Sequence, residues 1–174
     1  MENTSSSSVF QQDLEVKSII PSLKKYFLSK AIQLSLNDKH YFNLGNNTKV
    51  QVDLCDEKNN IFGEIYTCGD KLLSGQQRKI SSDILKLLTV EKNLNKTAEK
   101  YLVLTYFEPS NLGDEIHEDK DYEIISKLLG TKSWKIRTIQ SFDFKVLIYF
   151  LTENQKIGLD QVKKAQGDKF RNKS

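Results

Sequence analysis

The chain has 174 residues, 38% of them hydrophobic and 28% charged, which fits one folded domain with a substantial core and excludes a disordered chain. No apolar run approaches the roughly 20 residues of a membrane span, and Met1–Ser5 lacks the basic-then-apolar pattern of a signal peptide, so a cytoplasmic protein is expected. The net charge of +3 is unevenly spread: between Glu108 and Glu123 seven acids face only Lys120, a local charge of −6 that leaves about +9 elsewhere and favours a phosphate backbone as partner.

Residues 1–10 are rich in serine and read as a disordered N-terminal segment, ahead of a single domain over 11–168 and a basic tail over 169–174. Asp13 has the chemistry of an N-cap. The helix it would start carries Leu14, Ile19, Ile20, Leu23, Phe27 and Leu28 on one face, with Pro21 predicting a kink or a break. Residues 37–47 read as a loop with Tyr41, Phe42 and Leu44 turned inward, and His40 as a structural or solvated histidine.

The most informative stretch follows. Val50, Val52 and Leu54 alternate with Gln51, Asp53 and Cys55, the period of a half-buried strand; Asp56–Asn60 is turn chemistry; Ile61–Thr67 is a second strand of the same hairpin. If Asp53 lies opposite Glu64, the two carboxylates share a face with Cβ atoms roughly 5 Å apart. Like charges that close need a cation or a proton between them. A hard divalent ion such as Mg²⁺ (or Mn²⁺), bound through one or two carboxylates plus water, meets that need. Cys55 and Cys68 sit far apart along this hairpin and read as reduced thiols.

A helix is predicted from Ser74 to about Lys92. At about 100° per residue, Ile80, Ile84, Leu87 and Leu88 form its apolar stripe, and Gln76, Lys79, Asp83 and Lys86 line one edge. That edge either borders Asp53 and Glu64 or carries ordinary surface pairs, Lys79–Asp83 and Asp83–Lys86. Tyr101–Phe107 is a strand buried on both faces, residues 108–120 an acidic loop, and Asp121–Leu129 a short helix ended by Gly130. Ser133 caps a helix through Ile139 with Trp134 and Ile136 facing inward. Phe144–Leu151 is the last strand, and Thr152 caps a final helix over Gln155–Gln166 that Gly158 weakens. Lys163, Lys164, Lys169, Arg171 and Lys173 make the end of the chain basic. The order α, β, β, α, β, α, α, β, α gives an α/β fold with a mixed central β-sheet flanked by helices.

No P-loop, dinucleotide fingerprint or zinc-ligand spacing is present, and nothing marks a Ser or Cys nucleophile. An acid on one strand, a second acid on the next and a helix after it resemble the core of the PD-(D/E)XK nuclease superfamily, across roughly residues 13–107. Asp53 matches the strand acid and Glu64 the second acid, while the motif lysine position holds Tyr66. The literal string Asp56-Glu57-Lys58 lies in the turn and is not the motif.

The resemblance implies a restriction-endonuclease-like α/β/α core and Mg²⁺-dependent hydrolysis of nucleic-acid phosphodiester bonds, with DNA favoured over RNA. It implies that Asp53, Glu64 and the backbone carbonyl of Ile65 hold the ion. Some members carry the lysine on the following helix, where Lys79 and Lys86 stand, and Gln76 would place the water or the phosphate. An extra acid on the first core helix is also common, which suggests Glu15, whose other reading is a solvated first-turn acid favoured by the helix dipole. The alternative implied by Tyr66 is a module that has lost cleavage and binds nucleic acid or a protein partner.

Overall fold

A computed structural model describes residues 6–36, 40–130 and 133–171. Helix α1 (Ser6–Leu14) runs into a π-helical turn (Glu15–Ile19) and then α2 (Ile20–Ser29). Strands β1 (His40–Asn43), β2 (Lys49–Val52), β3 (Leu54–Asp56) and β4 (Ile61–Tyr66) lead to helix α3 (Ser74–Leu94) and strand β5 (Glu99–Tyr106). The chain then forms β6 (Glu115–Glu118), α4 (Glu123–Leu129), α5 (Trp134–Ser141), β7 (Lys145–Phe150) and α6 (Glu153–Arg171). The main sheet has the order β3-β4-β5-β7-β6, with β4, β5 and β7 parallel and both edge strands antiparallel; β1 and β2 form a separate two-stranded sheet. The fold is therefore α/β with a mixed central sheet.

Helices cover both faces. Phe62, Tyr66, Leu102, Leu104, Val146 and Ile148 pack with α3, α4 and α5, whereas Ile61, Ile65, Tyr101, Val103, Leu147 and Tyr149 pack with α2 and with Leu159 of α6. This alternation puts Glu64, between Phe62 and Tyr66, on the α3 face. Beside it, Gly63 is irreplaceable for a packing reason: a Cβ there would stand 2.6 Å from the Tyr101 carbonyl oxygen and 3.1 Å from Tyr101 Cβ. Gly63→Ala should destabilise the chain by about 1–3 kcal/mol in denaturant unfolding. An unchanged midpoint would mean that the β4–β5 ladder shifts at no cost.

Several sequence expectations are corrected. Residues 6–10 lie in α1, so Asp13 is inside a helix and pairs with Lys17 at 3.0 Å instead of capping (residues 1–5 are outside the described part). Pro21 lacks an N–H and its ring would crowd the Lys17 carbonyl. The helix answers by opening one residue wider just ahead of it, the Ile20 N–H reaching the Glu15 carbonyl. The 49–55 strand is broken at Asp53. Its first half pairs with β1, in the stretch read as a loop, through a turn at Gly45-Asn46-Asn47 with φ of 91°, 49° and 61°. Phe42 packs edge-on against Phe62 at 5.1 Å, while Tyr41 is exposed.

The acidic loop contains the edge strand β6, whose charged residues protect an open edge. Helix α4 starts at Glu123, two residues later than expected, and Asp119 serves its first turn, accepting from the Glu123 and Ile125 N–H groups at 3.0 and 2.9 Å. Trp134 is 62% exposed, because the first turn of α5 projects beyond the core that Ile136 and Ile139 reach. Helix α6 begins two residues earlier and continues to Arg171, so the tail is partly helical. Thr152 caps it as the sequence suggests, and Gln155 completes a capping box by accepting the Thr152 N–H. Gly158 lies under the Phe10 ring, where a Cβ would stand 2.3 Å from it; the residue that weakens α6 lets α1 dock. Among the described residues no helix is long and apolar enough to cross a membrane.

Candidate functional site

The site lies where the β3–β4 hairpin meets α3. Leu54 pairs with Gly63, Cys55 with Phe62 and Asp56 with Ile61. The next position of the same register sets Asp53 against Glu64. Asp53 occupies the bend between β2 and β3, and its Oδ2 accepts the Ile65 N–H at 3.1 Å. Ile65 thus meets this acid through its N–H. Glu64 is 1% exposed and its carboxyl comes within hydrogen-bond reach of Asp53.

Helix α3 brings the cations. Lys86 Nζ stands 2.5 Å from Glu64 Oε1 and 3.0 Å from Asp83 Oδ1. Lys79 Nζ is 3.9 Å from Asp53 Oδ2 and 3.7 Å from Asp83 Oδ2, and 5.1 Å from the centre of the Tyr66 ring. The two lysines differ in exposure: the Lys86 side chain is 21% exposed and that of Lys79 51%. Both lysine–Asp83 pairs read from the sequence exist, but Asp83 is 5% exposed and therefore no surface partner. It also accepts the Tyr66 hydroxyl at 2.8 Å. Burial, and then Asp83, keep that hydroxyl protonated far above its usual range.

Gln76 reaches the same end of the sheet with its amide engaged. Its Oε1 accepts the Leu73 N–H at 3.1 Å, capping α3, and its Nε2 donates to the Thr67 carbonyl at 2.9 Å. Glu15 arrives on the π-helical turn. Burial first, and the Asp53 charge second, raise its carboxyl above the usual range, against the pull of Lys79. Glu15, Asp53 and Thr67 line a cavity of about 580 Å³ beneath Gln11 of α1. Asp56 is elsewhere and structural. It is buried, yet hydrogen bonds from Asn59 and Ser35 outweigh the burial and hold its carboxyl below the usual range. Cys55 and Cys68 are free, buried thiols that burial pushes up to about 12.

The charges do not balance. Glu15, Asp53, Glu64 and Asp83 bring four carboxyls and Lys79 and Lys86 two ammonium groups. Burial, then the Asp53 charge, push Glu64 up to about 8 from an ordinary 4.5, although Lys86 pulls the other way. Either a proton on Glu64 or an added cation relieves the pair. Among the described residues no three Asp, Glu, His or Cys side chains converge into a ready metal cage. Two adjacent carboxylates nevertheless fit a hard ion that keeps most of its water.

The sign of the pH dependence follows. Folded Glu64 holds its proton more tightly than the unfolded chain does, so its contribution to stability is complete below about pH 4.5 and is lost as pH rises through about 8. The stability of wild type relative to Glu64→Gln should fall by a few kcal/mol over that window without divalent ions. Parallel stability–pH curves for the two proteins would contradict the raised carboxyl.

Asp83 was missed as a site residue although it stands on the predicted edge; only its burial distinguishes it from a surface partner. Compared with known proteins, the chain matches no family model, no curated protein and no solved structure.

Proposed function

We propose that this chain is a divalent-metal-dependent phosphodiesterase that hydrolyses nucleic acid, with DNA the favoured substrate. The observation that carries the reading is the approach of Lys86 and Lys79, from α3, to the paired carboxylates Glu64 and Asp53. It gives the PD-(D/E)XK resemblance the cation that Tyr66 cannot supply. Asp53 and Glu64 are the residues that would hold Mg²⁺ or Mn²⁺, which when bound supplies charge stabilisation at the phosphate and a more acidic water. Lys86, the more buried lysine, stands against Glu64 and Asp83 and offsets part of the crowding of acids there. Lys79, half-exposed above Tyr66, is the cation free to meet a phosphate oxygen. Tyr66 holds Asp83 in place and takes no part in charge neutralisation. Gln76 keeps Thr67 and the start of α3 at the rim of the site.

The test is cleavage of labelled single- and double-stranded DNA with Mg²⁺ or Mn²⁺, against the same reaction in EDTA. Metal-dependent products from wild type, absent with Lys79→Ala, support the reading. No product on any DNA or RNA substrate with either ion contradicts it.

A second reading is a non-cleaving module that binds nucleic acid or a protein. It draws on the Tyr66 hydroxyl being committed to Asp83 at the motif lysine position. It predicts salt-sensitive nucleic-acid binding that needs no divalent ion.

A further inference from the structure

Next to the acidic cavity lies a second one, of about 270 Å³, lined by Gln11, Thr67, Gln76, Lys79, Lys163 and Gln166 among others. Among the described residues no carboxylate lines it. The two cavities share Gln11 and Thr67, so they meet over the end of β4 beneath α1. One end of the combined groove carries Glu15 and Asp53; the other carries two lysines and three glutamine amides. Amides and ammonium groups donate to phosphate oxygens; Lys79 is shared with Asp53 and Asp83 and one Gln76 amide N–H with Thr67, so Lys163 is the cation that sets this end. Lys163 is held at this end, its Nζ 3.5 Å from the Lys71 carbonyl, by a helix that α1 locks in place through Phe10 on Gly158. The cavity falls below the ~300–1,000 Å³ that encloses a whole small-molecule ligand, a size suited to one phosphate with part of its sugar.

We infer that this cavity is a phosphate subsite, with Lys163 a positioning residue that seats the phosphate next to the one at Asp53 and Glu64 and so sets the path of the nucleic-acid strand. The inference rests on the nucleic-acid reading above. It gives Lys163, one of the residues that make the end of the chain basic, a place in the site.

The experiment compares wild type, Lys163→Ala, Lys163→Arg and Lys164→Ala, the last an exposed neighbour on the same helix. The probe is fluorescein-labelled single-stranded DNA in EDTA across a salt series, followed by steady-state cleavage with Mg²⁺. Lys163→Ala is expected to weaken binding about tenfold and to reduce the salt slope by about one. It should raise KM with kcat nearly unchanged; Lys163→Arg should recover most of the loss, and Lys164→Ala should behave as wild type. Thermal melting of each variant establishes that it is folded. Wild-type KM in a folded Lys163→Ala, or an equal loss in Lys164→Ala, overturns the subsite and leaves the proposed function standing. A wild type that binds no nucleic acid even at low salt overturns both.

Discussion

Asp53→Asn and Glu64→Gln should each lower Mg²⁺-dependent cleavage by about a thousandfold, roughly 4 kcal/mol of barrier. Each amide keeps the size of its carboxyl and removes the charge that would hold the ion. The two differ in what they do to the rest of the chain. Glu64 is buried, crowded by Asp53 and tied to Lys86; its amide relieves the repulsion and abolishes the loss of stability between about pH 4.5 and 8. Asp53 is more exposed and accepts from the Ile65 N–H, a bond that the Asn oxygen can still take. Both variants should therefore fold, and initial rates of cleavage beside melting curves check this. Near wild-type rates in either folded variant would remove that residue from the site.

Lys86→Ala should destabilise the chain by about 3 kcal/mol at pH 9, where Glu64 has lost its proton, because it strips Glu64 and Asp83 of the ammonium at 2.5 and 3.0 Å and leaves Asp83 only the half-exposed Lys79 and the Tyr66 hydroxyl. Lys86 itself is held protonated: burial opposes its charge, but Glu64 and Asp83 more than offset that and raise it above its usual range. Lys79→Ala offers the contrast. With its side chain half-exposed and its carboxylates 3.7 and 3.9 Å away, its removal should change stability by under about 1 kcal/mol while still abolishing turnover. Urea unfolding of the two variants measures the difference. Glu64→Gln placed on top of Lys86→Ala should recover part of the loss. Equal, small effects from both lysines would mean that the acids are already neutralised by protons.

The register that opposes Asp53 to Glu64 was legible because strand alternation and a polar turn fix which side chains share a face. The helix edge was legible for a similar reason, since Gln76, Lys79, Asp83 and Lys86 recur at helical spacing. What they do there was not. Asp83 looks like a surface partner until its burial is known, and Gln76 proves to be engaged as a cap. Strand β1 was hidden because four residues carry too little pattern to separate a strand from a loop with two aromatics. Strand β6 was hidden because an edge strand facing water has charges where a buried strand has apolar residues. Lys163 stands 99 residues from Glu64 and 110 from Asp53 in sequence; only the packing of α1 and α6 across the end of β4 brings it to the site.

Calorimetric titration of Mn²⁺ into wild type and into the Asp53→Asn/Glu64→Gln double variant, at pH 7 and pH 9, tests the paired-carboxylate site most directly. The account predicts binding in wild type that strengthens with pH as the ion displaces the Glu64 proton, and none in the folded double variant. Equal binding by the two proteins, or wild-type affinity that is flat across this range, would contradict it.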